Sequence, residues 1–271
     1  MNLSRIFSVI VAPFWVLSMC CIHPSNAAII SGQGTWETTL QARDLDGDPS
    51  TIEAYYDTEL DITWLANANY FGSTMTWADA NAWAAGLDLD STAGPDGWRL
   101  PNANPIDGTT ADDDLIAYNG TEDQGHNISA PGTLYAGSTA NEMAHLFFNT
   151  LGNLDYCTTS SVYPDCTTQA GYGLSNSGPF SNIQAANDFD LYWTGTEYAP
   201  NSTSDAWVFS FYYGYQAPND KTSGLYAWAV HDGDFGTAIV PLPASVWLFG
   251  GGLLGLIGIA RRTNKLPNIQ I

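Results

Sequence analysis

Basic side chains are what this chain has least of: seven lysines and arginines among 271 residues, against 28 aspartates and glutamates. Four of the seven, Arg5, Arg261, Arg262 and Lys265, lie towards the two ends, so only Arg43, Arg99 and Lys221 face all the acids of the body. Phosphate recognition needs clustered cations, and their scarcity excludes nucleic acid and anionic lipid as partners of that body. Cysteine is also scarce. Cys20 and Cys21 fall in an N-terminal apolar run, leaving Cys157 and Cys166, nine positions apart. No histidine or third cysteine is near them and the spacing is not Cys-x-x-Cys, which argues against metal and redox roles; a disulfide is the expected state in an oxidising compartment. The chain also lacks zinc-protease, Gly-x-Ser-x-Gly and phosphate-loop signatures. Glu142-x-x-His145 has di-iron-like spacing but occurs once, where such a centre needs two copies. No catalytic residue is assigned, and the chain is not expected to be an enzyme.

What is present begins at the ends. Arg5 precedes an apolar stretch from Ile6 to Ile22, and Ser25-Asn26-Ala27 or Asn26-Ala27-Ala28 offers small residues for signal-peptidase cleavage. At the other end stand Val240-Pro241-Leu242-Pro243-Ala244, an uncharged apolar run from Ser245 to Ala260, and Arg261-Arg262. Those 16 residues make a helix of about 24 Å, short of a hydrocarbon core of roughly 30 Å, and Pro241 and Pro243 resist its extension. A basic pair after such a run keeps its positive end cytoplasmic. The chain reads as a signal peptide over 1–28, one domain over 29–239, a membrane-inserting sorting segment over 240–262 and a tail over 263–271.

The order of proline-bearing motif, glycine-containing apolar helix and basic pair resembles the PEP-CTERM sorting signal in its VPLPA variant. That resemblance implies an exosortase-type protease as partner, transient residence in the inner membrane, and delivery to the cell surface or an exopolysaccharide matrix. An uncut C-terminal anchor is the alternative.

Within the body, Thr35 to Leu40 alternates like an edge strand, and Glu53 to Tyr56 and Leu60 to Leu65 are strand-like. A helix is expected from the N-cap Thr76, with Asp79 in its first turn and Trp77, Ala80, Trp83, Ala84 and Leu87 facing inward. A second is expected from Thr139, through a Thr139-x-x-Glu142 capping box, with Met143, Leu146, Phe147 and Leu151 buried and Gly152 as its stop. Asn102 to Gly137, between them, reads as a long surface insertion. Leu191 to Thr196, Ala206 to Tyr213 and Leu225 to Val230 read as strands. Two helices ahead of a β-rich rear give an α+β fold with a mostly antiparallel sheet.

Leu60-Asp-Ile-Thr-Trp-Leu, Met75-Thr-Trp-Ala-Asp-Ala, Gly97-Trp-Arg-Leu-Pro, Tyr192-Trp-Thr-Gly-Thr-Glu, Ala206-Trp-Val-Phe and Tyr226-Ala-Trp-Ala-Val occur in the order of the Lcl C-terminal domain family, which this chain resembles over about Tyr56 to Phe235. The resemblance implies a C-type-lectin-like domain whose first and last strands pair. It also implies an extracellular setting with sugar or polyanion binding; a polyanion suits so acidic a domain poorly.

Trp98, Arg99, Leu100 and Pro101 form the most specific motif. Arg99 is expected to be a buried clamp, stacked beside Trp98 and donating to carbonyls or a carboxylate. Asp44, Asp46 and Asp48 on a glycine turn, with Glu53 following, form a candidate calcium site, although Gly47 and Glu53 miss the EF-hand positions and a bare turn explains the same residues. Asp112-Asp113-Asp114 reads as a solvated loop. Trp193, Trp207, Tyr212, Tyr213, Tyr215 and Trp228 divide between core and sugar-facing surface, since Phe211-Tyr-Tyr-Gly-Tyr215 cannot all point inward. Three functional classes follow: a noncatalytic glycan-binding surface or matrix protein, a purely structural matrix component, and a hydrolase of extracellular polysaccharide.

Overall fold

The computed structural model describes residues 33–90, 94–106 and 115–239. The signal segment, the motif from Val240 to Arg262, the tail and Asp112 to Asp114 lie outside the described residues. Among the described residues no helix is long and apolar enough to cross a membrane.

Two five-stranded sheets form the body. The first is built from β1 (Leu40–Asp44), β2 (Ala54–Asp57), β3 (Ile62–Leu65), β9 (Val230–Asp232) and β10 (Thr237–Ala238), in the order β10-β1-β2-β3-β9. β1 pairs antiparallel with β10, Arg43 opposite Ala238 and Asp44 opposite Thr237, so the first and last described strands close the domain as the sequence resemblance implies. The second contains β4 (Ile116–Ala117), β5 (Gln124–His126), β6 (Leu191–Glu197), β7 (Asp205–Ser210) and β8 (Tyr215–Asp220), in the order β4-β5-β8-β7-β6. Only β4 and β5 run parallel. The fold is sheet-rich with little helix.

Aromatic packing joins the sheets. Trp228 lies 5.0 Å from Trp64 of β3 and 5.9 Å from Phe211, just past β7, between ring centroids. Phe147 continues the cluster to Phe209 and Phe211 at 5.6 and 5.8 Å. Rings at these separations and tilts attract beyond their burial, by about 0.5–1.5 kcal/mol a pair. Two of the core indole N–H groups are tied off on carbonyls, Trp228 donating to Leu65 at 2.8 Å and Trp193 to Met75 at 3.0 Å, whereas those of Trp64, Trp98 and Trp207 are buried without a partner.

Several local expectations change. Helix α2 (Trp77–Ala85) starts at Thr76, whose hydroxyl accepts from the Asp79 N–H, as its sequence indicates. Its buried positions are Ala80 and Ala84, whereas Trp77 and Trp83 are half-buried at its flanks, because only small side chains let the helix lie close to the sheet. Thr35 to Leu40 is not an edge strand: Trp36–Thr39 forms one helical turn, α1, and β1 begins at Leu40. The second long helix is broken. α3 (Glu142–His145) is capped at Asn141 rather than at Thr139, and a π-helical turn follows over Leu146–Thr150 before Gly152 adopts φ +65°. Glu142 closes no capping box, because Arg99 takes its carboxylate.

The segment after Asn102 is no simple surface insertion either. It supplies β4 and β5, and Asn127, Ile128, Ser129 and Ala130 are buried. Leu225 to Ala229 is not a strand; Leu225 and Tyr226 bridge singly to Met75 and Tyr192, and the regular strand begins at Val230.

Candidate functional site

Four separate segments bring tyrosines to one side of the second sheet. Tyr118 follows β4, Tyr156 and Tyr163 lie in the loop after the π-helical turn, Tyr172 lies farther along that connection, and Tyr212, Tyr213 and Tyr215 surround the β7–β8 turn. That turn is a local necessity. Phe211 is fully buried, and Gly214 adopts φ +77°, a conformation side chains disfavour, so the alternation of β7 stops and the next rings swing outward. All seven tyrosines are half-buried or exposed.

Their rings touch in an unbroken series. Tyr163 meets Tyr118 at 5.4 Å between centroids, Tyr118 meets His126 at 5.0 Å, and His126 meets Tyr215 at 4.8 Å and Tyr156 at 6.4 Å. Tyr156 continues to Tyr172 at 4.8 Å and Tyr213 at 5.2 Å, and Tyr213 to Tyr212 at 4.6 Å. Tyr118, His126, Tyr156, Tyr213 and Tyr215 line a cleft of about 350 Å³.

Hydrogen bonds fix the floor of this cleft. His126 of β5 faces Tyr215 of β8 in register, and its Nδ1 lies 2.6 Å from Asp155 Oδ1. Asp155 Oδ1 also accepts from the Cys157 N–H at 2.7 Å, and Oδ2 from the Asn127 N–H at 2.8 Å. Burial pushes the Asp155 carboxyl above its ordinary range, and these bonds oppose that rise. Asn127 Nδ2 donates to the carbonyls of Tyr118 and Cys157, both at 2.8 Å, joining two tyrosine-bearing segments. The Tyr156 N–H donates to the Tyr213 carbonyl at 2.8 Å.

Cys157 and Cys166 form the expected disulfide, with Cα atoms 5.3 Å apart, which closes the loop that carries Tyr163. Burial raises the phenols of Tyr118, Tyr213 and Tyr215 above their usual range, and a hydrogen bond with Tyr212 raises that of Tyr172. These four phenols are therefore neutral near pH 7, each an apolar face with a hydroxyl able to donate and accept.

The sequence candidates divide differently. Trp193, Trp207 and Trp228 are core residues, with at most 1% exposure, while Tyr212, Tyr213 and Tyr215 reach the surface. Sequence reading missed Tyr118, Tyr156, Tyr163, Tyr172 and the His126–Asp155 pair; the abundance of tyrosine, 14 in all, was the only signal of them.

Trp98, Leu100 and Pro101 are buried. Arg99 is a clamp but stacks on no ring among the described residues: it donates in parallel to both oxygens of Glu142 at 2.8 Å, to Asp232, and to the Leu100 carbonyl at 3.0 Å. Burial opposes its charge, but Glu142 and Asp232 outweigh that and hold the guanidinium ionised. His145, by contrast, points to Glu59 at 3.2 Å and the Ser138 carbonyl at 3.1 Å, so Glu142 and His145 share no centre. Glu59 and His145 border a larger, open cleft of about 820 Å³, whose other ring is that of Phe148.

Asp44, Asp46 and Glu53 place one oxygen each within 4.8 Å of one another, but Asp48 is not among them. Its Oδ1 turns to the N–H and hydroxyl of Ser50. The three converging groups already accept from backbone: Asp44 from Gly47, Asp46 from Asp48 and Glu53 from Leu45. His126 and Asp155 also lie near Cys157, whose sulfur is committed to the disulfide.

Comparison with curated proteins and with solved structures finds no match. A model of the Lcl C-terminal domain matches residues 53–231, which include β2 through most of β9, the Arg99 clamp and the whole tyrosine surface. Spanning well over half of the chain, that match shows that this extracellular, surface-associated type of protein belongs to the Lcl C-terminal domain family.

Proposed function

We propose that this protein is a noncatalytic glycan-binding component of the cell surface or extracellular matrix, and that its tyrosine surface holds the sugar. The observation that carries the reading is the division of aromatic labour. Trp64, Trp98, Trp193, Trp207 and Trp228 are withdrawn into the core, whereas seven tyrosines stay half-buried or exposed in one connected series. Aromatic faces pack against the C–H faces of sugar rings while phenol hydroxyls reach the sugar hydroxyls, and such amphipathic rings are favoured wherever a wet ligand is bound.

In this proposal the chain reaches the surface by export and C-terminal sorting. Support comes from the signal-like N-terminus and from Val240-Pro241-Leu242-Pro243-Ala244 with Arg261-Arg262, read by an exosortase-type protease. The C-type-lectin-like assignment belongs to the same reading and is supported by the pairing of β1 with β10. The His126–Asp155 pair at the cleft favours a second reading, a hydrolase of extracellular polysaccharide.

Two experiments separate these. The purified full-length chain is applied to immobilised extracellular polysaccharides, with Tyr156→Ala and Tyr213→Ala as controls. Retention lost in both variants, with no new reducing ends released, is the expected result. Chain cleavage of the bound polymer would favour the hydrolase, and retention indifferent to both substitutions would refute the site. For the sorting claim, mass spectrometry of surface material is expected to find a C-terminus near Ala244; an intact Ile271 would refute processing.

A further inference from the structure

Resting on the glycan-binding reading, we propose that the tyrosine series takes an uncharged polysaccharide and binds it along the chain, over several sugar units, rather than at an end.

All three basic side chains of the described residues are already committed to carboxylates: Arg43 to Asp234, Arg99 to Glu142 and Asp232, and Lys221 to Glu197. None of them lines the cleft. A sulfate or uronate group would find no free cation there, and would meet Asp188, hydrogen-bonded to Tyr213, at the rim. Burial raises the phenols of Tyr118 and Tyr215 and leaves their hydroxyls un-ionised, suited to sugar hydroxyls.

From Tyr163 through Tyr118, His126 and Tyr156 to Tyr213 and Tyr212, successive centroids lie 4.6–6.4 Å apart, comparable with the length of one pyranose unit. Both ends of the series reach solvent, Tyr163 at 52% exposure and Tyr212 half-buried. Nothing in the series marks a terminal pocket. A polymer lying across it contacts several rings at once, and its affinity grows with the number engaged.

The full-length chain is tested on a printed array of neutral, uronate-bearing, sulfated and amino-bearing glycans. The neutral binder is then titrated as oligomers of increasing length, at low and high salt. Expected are hits confined to uncharged glycans, affinity rising about tenfold or more from the dimer to the hexamer, and little change with salt. Tyr163→Ala, at the exposed end of the series, is expected to flatten the length dependence while the thermal melting of the chain stays near that of the parent. Preference for uronate, sulfated or amino-bearing polymers, steep salt dependence, or a dimer bound as tightly as a hexamer would overturn the inference and leave the glycan-binding reading standing. Failure to bind any glycan would defeat both.

Discussion

Arg99 and Glu142 meet in two parallel hydrogen bonds of 2.8 Å, and that pairing ties the Trp-Arg-Leu-Pro segment to the start of α3. Glu142 also accepts from the Asn102 N–H at 2.7 Å, while Arg99 exchanges both backbone hydrogen bonds with Val230 at the head of β9. One guanidinium thus connects a loop, a helix and the first sheet. Bidentate geometry is what arginine offers and lysine does not.

Removing this clamp leaves Glu142, with a side chain only 10% exposed, without its cation. Arg99→Ala is expected to destabilise the domain by about 2–4 kcal/mol, the partly exposed guanidinium placing it towards the lower part of the range for buried pairs. Arg99→Lys recovers only part of that. Urea denaturation checks both, and an unchanged midpoint for Arg99→Ala would show that the clamp is dispensable.

The disulfide joins stability to the cleft. Closing so short a loop contributes about 2–3 kcal/mol, and the Cys157 N–H helps hold Asp155 beneath His126. Replacing both cysteines by serine is expected to lower stability by that amount and to weaken sugar binding as well. Denaturation and binding measured on the same double variant test this; full affinity in the less stable protein would separate the loop from the site.

Asp57 gives a pH dependence of definite sign. It is fully buried, its Oδ1 accepts from the N–H groups of Glu59 and Leu60, and burial raises its carboxyl above the ordinary value. A group that holds its proton more tightly when folded contributes stability that is complete below the unfolded pKa, about 3.9, and lost as pH rises through the folded one. Asp57→Asn keeps the accepting oxygen and removes the titration. The variant is expected to gain on the parent as pH rises from 4 to 7, as followed by thermal melting; parallel pH profiles would count against it.

Gly214 is placed where a methyl group does not fit. A Cβ there would lie 2.9 Å from Asp155 Oδ2 and from Phe147, and the backbone is already at φ +77°. Gly214→Ala is expected to cost about 1–3 kcal/mol and to displace the rings of Tyr213 and Tyr215. Loss of affinity beyond the loss of stability, measured well below the melting temperature, would show that displacement.

The pieces legible in the sequence are those governed by near neighbours. Thr76 and Asp79 announce α2 because a cap acts over three residues, and β2, β3, β6 and β7 follow from alternating apolar runs. The disulfide is likewise a matter of counting, since Cys157 has one partner to find in the body. Glu142 misleads for the opposite reason. Its spacing from Thr139 fits a capping box, but an arginine 43 positions away offers a charged, bidentate partner and outbids a backbone N–H.

Composition and order along the chain by themselves determined an acidic, aromatic-rich domain with mostly antiparallel strands and its cations reduced to three, because charge and hydrophobic patterning are additive along a chain; that helix is so sparse was decided by the tertiary structure. Which aromatics are buried was decided only in three dimensions. Trp193 and Tyr213 look equally suited to a surface or a core; the aromatic core encloses one, and the turn at Gly214 turns the other outward. The tyrosine surface exists because distant segments are tied together: Asn127 joins the Tyr118 and Asp155–Cys157 segments, the Tyr156 N–H donates to the Tyr213 carbonyl, and the Gly173 N–H beside Tyr172 donates to the Leu154 carbonyl. Proximity of that kind is a property of closed tertiary contacts, which no local period encodes.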